Sequence, residues 1–263
     1  MLLSASKMTM ANELPPPTAW LVESLRLTVF AEPGAPFDSS KWWVDLVGAQ
    51  PDSISDQPKQ SLHNERGRLD DQRDLILQVQ ANRIDWVMLP PAQTEAALPM
   101  DFLAVGDFPA TVNGFATIMR RWLPSCPPVT RLALGGVLLQ AQSDRRAGYV
   151  LLGSYIPSVT LDPDSSDFSY QINRPRKSTT SIPNLEVNRL TRWAVVLLRT
   201  LAVSAGLQAM SVADMARRSA CRLEFDINTS QEFTGRIPQG QLTDLLVELS
   251  DLALEIAALG DIK

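Results

Sequence analysis

Alternating apolar and polar residues mark several stretches of this chain as half-buried strands. Early in the sequence, Leu25, Leu27 and Val29 alternate with the polar residues Arg26 and Thr28. A period of two is typical of a strand that packs one side on a core and turns the other to solvent. The same signal predicts further strands over residues 130–139, 168–173 and 222–227.

The clearest strand pair is a predicted hairpin with a turn near Ala81-Asn82. Both arms alternate, and residues opposite each other on antiparallel arms stabilise the pair by side-chain contact. The apolar positions of the two arms are Leu75, Leu77, Val79, Ile84, Trp86 and Met88.

Apolar residues three or four apart predict helices elsewhere. Asp107 is the expected N-cap of a helix that ends before Pro124. A short helix is expected over residues 41–47, capped by Asp38 and stopped by Gly48. Residues 143–155 fit a helix or a strand, with the helix favoured. Further helices are predicted over residues 185–205, 211–219 and 239–259.

These signals mix without a regular βαβ period, which favours an α+β fold with antiparallel sheet covered by helices. Residues 1–17 are expected to form a mobile leader. An N-terminal half over residues 18–99, with an exposed loop at 50–74, and a C-terminal half over residues 100–263 would meet near residues 89–99. Two similar halves are one option, although no sequence period supports a repeat.

The predicted core unites residues from both halves. The side chains expected to be buried are Trp86, Phe115, Trp122, Trp193, Leu223, Phe225, Leu245, Leu249 and Ile256.

Composition places the chain among ordinary globular proteins. Its 263 residues are 45% hydrophobic and 20% charged, and the formal net charge is -5. An acidic balance argues against a protein that mainly coats nucleic acid. The sequence has no apolar run long enough to span a bilayer and no secretory signal, so a cytoplasmic location is expected with Cys126 and Cys221 reduced.

Motifs for chemistry are missing from the sequence. His63 is the single histidine, and neither a nucleophile elbow nor a glycine-rich phosphate loop occurs. Gly135-Gly136 indicates a bulge or a site of close packing within a strand. The sequence therefore assigns no catalytic residue, no metal ligand and no cofactor. A carboxylate-based enzyme is the third hypothesis, because 29 acidic residues leave too many pairs to choose from.

The leading hypothesis is a non-catalytic protein-interaction or accessory subunit. In the last predicted helix, Asp244, Glu248, Asp251 and Glu255 lie three or four residues apart and form a row of like charges. No Lys or Arg between residues 237 and 262 offsets this row. Basic residues of a protein partner, or of a second copy of the chain, would relieve the repulsion.

The alternative is a nucleic-acid or nucleotide-binding module. Arg174, Arg176 and Lys177 concentrate positive charge in a predicted loop, where Arg120 and Arg121 could extend the basic surface. A solvated loop is the simpler interpretation of the same residues.

The order of these signals resembles a sporadically distributed prokaryotic family of roughly 250-residue proteins of unknown function. The residues that carry the resemblance are 77–86, 129–134 and 223–228, followed by the C-terminal helix. Residues 131–139 depart from the family, which tends to have a polar Arg-Tyr-Asn run there. The resemblance implies no catalytic residues, and the patchy distribution of the family suggests a role in prokaryotic defence or toxin neutralisation.

Overall fold

The structure, a computed structural model, describes residues 14–92, 101–205 and 210–262. Within them, ten strands form one antiparallel sheet and four α-helices pack against it. The strands are β1 (Leu21–Ala31), β2 (Ser53–Gln57), β3 (Leu62–Asp70), β4 (Arg73–Gln80), β5 (Arg83–Leu89), β6 (Val129–Gln142), β7 (Ser169–Asn173), β8 (Arg176–Lys177), β9 (Glu186–Ala205) and β10 (Met210–Thr229). The helices are α1 (Trp42–Val47), α2 (Phe108–Trp122), α3 (Arg145–Tyr155) and α4 (Leu242–Leu259).

The strand order repeats about the centre of the sheet. From one edge to the other the order is β2-β3-β4-β5-β1-β6-β10-β9-β7, with β8 also pairing with β9. Each half begins with a central strand, β1 or β6, continues through a helix and a meander, and ends with a strand that returns to pair with the first. A further helix, α2 or α4, closes each half. The α+β prediction is confirmed. The halves share this order of elements, but β2 and β3 occupy successive positions in the sheet, whereas β7 and β8 both pair with β9.

The two halves share one sheet and one core. Strand β1 pairs with β5 on one side and with β6 on the other. The Trp20 indole donates a hydrogen bond of 3.0 Å to the Ala257 carbonyl, which ties the start of the described chain to α4. Residues 1–13 of the predicted leader and residues 93–100 of the predicted connector lie outside the described residues.

The helices cover one face of the sheet, and all nine predicted core residues are buried there. Trp86 packs between Trp43 and Trp122, with ring centroids 6.0 and 5.7 Å away. On the central strand β6, a Cβ at Gly136 would overlap the Phe225 ring, which confirms close packing at this glycine.

Most predicted elements are confirmed. The hairpin turns between β4 and β5, and the predicted strands correspond to β1, β6, β7 and the second half of β10. Helices α1 to α4 match four predictions, although Lys41 and not the predicted Asp38 is the N-cap of α1. The Asp107 carboxylate caps α2 by accepting from the Ala110 amide at 3.1 Å. Within the described residues, no helix is long and apolar enough to cross a membrane.

The exposed loop predicted at residues 50–74 is wrong, because this segment forms β2 and β3. All five residues of β2 are exposed, and in β3 the sheet positions facing the helices include His63, Glu65 and Gly67. An edge hairpin contacts little of the core, so backbone pairing holds it without the apolar alternation that identifies inner strands.

The predictions of two further helices are also wrong. Residues 185–205 form β9, and residues 211–219 lie in β10, whose backbone pairs with β9 along nearly its full length. Apolar residues occupy both sides of β9, with Val187 and Trp193 toward the helices and Leu190 on the opposite face. That distribution hides a period of two, and long-range pairing overrides the local helical preference.

Candidate binding surface on the open face of the sheet

The most distinctive surface is the sheet face opposite the helices. Leu25, Leu27 and Val29 of β1 are buried toward the helices, so Arg26 and Thr28 point to the other side. This open face is accessible to solvent, since the side chains of Arg26 and Asp226 are 39% and 42% exposed. It carries polar side chains from six adjacent strands, β5 to β7 in sheet order.

Two adjoining depressions lie on the open face above the central strands. Their volumes are about 370 and 530 Å³, and both are lined by Arg26, Leu190 and Asp226. Small residues on β6 form the floor, Ala133 in the larger depression and Gly135 in the smaller one. A Cβ at Gly135 would lie 3.2 Å from Nη2 of Arg26, so a larger residue would begin to fill the smaller depression.

A chain of carboxamides crosses the larger depression. Nδ2 of Asn173 donates to Oδ1 of Asn188 at 2.9 Å, and Nδ2 of Asn188 donates to Oδ1 of Asn228 at 3.2 Å. Nδ2 of Asn228 donates to Oδ1 of Asp226 at 2.8 Å, and Nη2 of Arg26 donates to Oδ2 of the same carboxylate at 3.4 Å. This network joins four strands, β7, β9, β10 and β1.

A second carboxylate, Asp85 on β5, anchors the other end of the network. It is almost fully buried and accepts hydrogen bonds from the Thr28 hydroxyl at 2.5 Å and from two nitrogens of Arg83 at 2.7 and 3.0 Å. Arg26 Nε lies 3.8 Å from the same carboxylate and is buried without a hydrogen-bond partner. Asp85 therefore has its acceptor positions largely occupied.

Arg131 differs from the neighbouring arginines because no carboxylate of the described residues lies at ion-pair distance from it. Its guanidinium carbon lies 4.7 Å from the centre of the Phe30 ring, which also has Arg83 at 5.8 Å. Its own hydrogen bonds, to the Thr229 carbonyl and Oδ1 of Asn228, are long at 3.3 and 3.4 Å. Burial lowers the pKa of Arg131, and the charge of Asp226 opposes that effect.

The larger depression is consequently richer in donors than in acceptors. Three guanidinium groups line it, and each offers five N–H groups but no acceptor. The oxygens of Asp226, Asn188 and Asn228 in its lining, and those of the adjacent Asp85, already accept hydrogen bonds within the network. Glu232 is the lining carboxylate that lies outside the network. A ligand that brings oxygen acceptors would complement this surface.

The predicted acidic row on α4 is only partly exposed. Asp244 and Asp251 face solvent, whereas Glu248 is buried and Glu255 is half-buried. Glu248 accepts hydrogen bonds from the Ser178 hydroxyl and from the backbone amide and hydroxyl of Thr179, at 2.6, 2.6 and 3.0 Å.

The predicted basic residues lie next to that acidic row. Arg176 binds Glu255 through two hydrogen bonds of 2.9 and 3.1 Å, and Arg174 binds Asp261 through two of 2.9 and 2.8 Å. Lys177 is exposed. The fold thus brings the two predicted surfaces together, and their charges are largely satisfied within the chain. Of the four acidic residues predicted to bind a partner, Asp244 and Asp251 are exposed.

The two cysteines lie where burial disfavours the reactive thiolate form. Burial raises the pKa of the Cys126 thiol to about 11 and that of Cys221 to about 12, so both are poor nucleophiles at neutral pH. Both cysteines are free. Within the described part of the chain, no group of three or more His, Cys, Asp or Glu side chains could hold a metal ion.

Sequence reasoning did not find the open-face network. Its available signal was the polar half of each alternating strand, which already placed Arg26 and Thr28 away from the core. The network assembles residues as distant as Arg26 and Asp226, and only the pairing of β1, β6 and β10 shows that they meet.

Comparison with known proteins adds no assignment. No protein-family model matches the chain, and neither a curated protein nor a solved structure is significantly similar to it.

Proposed function

We propose that this chain is a non-catalytic binding protein that docks a protein partner on the open face of its sheet. The observation that carries the proposal is the arginine–asparagine network around two depressions, on a face where polar side chains from six strands are accessible. Arginine is enriched in protein interfaces because its planar group stacks and makes several hydrogen bonds at once.

The distribution of charge favours a protein as the partner. Along the central strands, Arg26, Arg83 and Arg222 alternate with the carboxylates of Asp85, Glu224 and Asp226. A protein surface can present both signs of charge in a complementary pattern. A nucleic-acid backbone is uniformly negative, so it would face repulsion from those carboxylates.

Leu190 provides the most direct test, because it lines both depressions and is half-buried. The chain would be co-expressed with the products of neighbouring genes and its mass measured by light scattering after size-exclusion chromatography. We expect a complex heavier than the 29.0 kDa chain that is lost in Leu190→Asp. The matched control is Val150→Asp on α3, where the side chain is 49% exposed on the helical side of the molecule.

Two results would contradict the proposal. One is a complex that survives Leu190→Asp but dissociates in Val150→Asp, which would move the interface to the helical side. The other is a chain that stays at 29.0 kDa with every neighbouring product and captures none of them.

Nucleic-acid binding is the second candidate, supported by Arg131, which lacks a carboxylate partner among the described residues. Binding of labelled RNA and DNA would be measured across a range of salt concentrations. A phosphate-driven site must weaken steeply as salt rises. Because Arg174 and Arg176 are held by Asp261 and Glu255, neutralising Arg131 should reduce such binding more than neutralising the loop.

The biological setting stays a prediction. A role in a prokaryotic defence or toxin-neutralising system rests on the resemblance to a sporadically distributed family, and co-purification from the native source would test it. A carboxylate-based enzyme stays the third hypothesis, since Asp85 and Asp226 are both engaged by arginine.

A further inference from the structure

We infer that the larger depression binds a carboxylate group presented by an acidic segment of the partner protein, with Arg131 as its principal contact. This inference rests on the proposed protein-binding function and specifies the chemistry of the docked segment.

The hydrogen-bond balance of the depression favours an added acceptor. Arg26, Arg83 and Arg131 line it, and Asp226 of the lining and the adjacent Asp85 accept from groups of the network itself. The other lining carboxylate, Glu232, is exposed and lies outside this network. The N–H groups of Arg131 make only the two long hydrogen bonds described above. An incoming oxygen acceptor would form shorter, charge-assisted bonds in their place.

The position of Arg131 suits a planar, two-oxygen group. Its guanidinium packs over the face of Phe30, and stacking of this kind leaves the N–H groups free to bond in the guanidinium plane. A carboxylate matches that geometry by accepting two parallel hydrogen bonds. The side-chain amides of Asn173, Asn188 and Asn228 lie around the same depression and can donate to peptide carbonyls flanking the acidic residue.

Charge distinguishes a carboxylate from a phosphate at this site. Asp226 and Glu232 also line the depression, so an incoming group meets two negative charges as well as three arginines. A phosphate monoester carries about 1.5 to 2 negative charges at neutral pH, whereas a carboxylate carries one. The carboxylate therefore gains the contact with Arg131 at a smaller repulsive cost.

The test uses the full chain and a fluorescein-labelled hexaglutamate peptide at low ionic strength, with binding followed by fluorescence anisotropy. Arg131→Gln should weaken binding about tenfold or more, because a hydrogen bond between charged groups contributes that much. The affinity of Arg131→Lys should lie between those of Arg131→Gln and the parent chain, since lysine retains the charge but not the planar set of donors.

The control variant is Arg146→Gln on α3, an exposed arginine on the helical side that is ion-paired with Asp164, and its affinity should stay within about twofold of the parent. Labelled hexaglutamine should bind at least about tenfold more weakly than hexaglutamate. Urea unfolding of each variant confirms that the fold is retained.

Several outcomes would overturn the inference: no hexaglutamate binding by the parent chain, equal affinity of Arg131→Gln and the parent, or equal binding of hexaglutamine. If labelled oligothymidylate binds more tightly than hexaglutamate at the same salt concentration, the ligand of the depression is nucleic acid and not an acidic protein segment. If the peptide fails while Leu190→Asp still abolishes a protein complex, the carboxylate site is wrong and the proposed function stands.

Discussion

At the scale of single residues, His63 joins two carboxylates on β3 and the edge strand β2. Its Nδ1 lies 2.6 Å from Oδ1 of Asp56, and its Nε2 lies 2.9 Å from Oε1 of Glu65. A neutral imidazole carries one N–H, so only the protonated ring can donate to both carboxylates. The His63 side chain is 29% exposed and has both carboxylates as partners.

This geometry predicts a stability that depends on pH. Burial lowers the pKa of His63, but hydrogen bonds and charges of Glu65 and Asp56 outweigh it, so the folded-state pKa lies above the ordinary value of 6.5. A raised folded-state pKa adds stability below pH 6.5 and loses it as the pH rises through the folded-state value. Urea unfolding should therefore show a lower free energy of unfolding near pH ~8.5 than near ~6.

His63→Gln is the control, because it leaves the chain without histidine. The decrease between the two pH values should shrink in this variant. Hydrogen exchange should place the loss at β2 and β3, the edge that His63 connects. An equal decrease in both proteins would show that His63 does not cause the pH dependence.

At the scale of elements, α4 and the segment before β9 stabilise each other through polar contacts. Glu248 is buried and accepts three hydrogen bonds from Ser178 and Thr179, whereas Asp251, one turn further along the helix, is exposed. Removing Glu248 would remove three hydrogen bonds to a charged acceptor, and such bonds contribute more than neutral ones.

The matched pair Glu248→Ala and Asp251→Ala isolates that effect, since both replace an acid by alanine in the same helix. Glu248→Ala should lower the free energy of unfolding by about 1–3 kcal/mol. Asp251→Ala should change it by no more than about 0.5 kcal/mol. Chemical denaturation measures both, and similar values for the two variants would contradict the contacts described for Glu248.

The elements also show where prediction from sequence succeeds. Helix α2 was predictable because Asp107 caps it, and because its apolar positions keep one spacing throughout. Strand β9 was not, since apolar side chains such as Trp193 and Leu190 lie on opposite faces and leave no period of two. Strand β2 is exposed throughout, and its single apolar residue, Ile54, gives no alternating pattern.

The candidate site, too, was only partly predictable from the sequence. Alternation in β1 predicted that Arg26 leaves the core, but its proximity to Asp226 depends on the register of three strands. The acidic row on α4 was correctly placed on one helix. Its partial burial depends on Arg176 and Thr179, which belong to a segment about 70 residues earlier. Contacts between distant segments are what local patterns do not specify.

At the scale of the whole molecule, the two halves have a similar order of elements and share one core. Strand β1 contributes Leu25, Leu27 and Val29 to that core, and its neighbours are β5 from its own half and β6 from the other. Separating the halves would expose both central strands along one edge, together with the apolar surfaces that they bury. We therefore expect the halves to fold only together.

Splitting the chain between Pro124 and Ser125, after α2 and before β6, tests this expectation. Each fragment expressed alone should be aggregated or lack a cooperative unfolding transition, because one edge of its central strand and part of its core are uncovered. The two fragments expressed together should form a one-to-one complex that unfolds in a single transition.

Leu27→Asp in the first fragment should abolish the complex, since Leu27 is fully buried opposite Leu134 of β6. Val150→Asp in the second fragment, at an exposed site on α3, should leave it intact. A monomeric first fragment with its own cooperative transition would instead establish two independent domains.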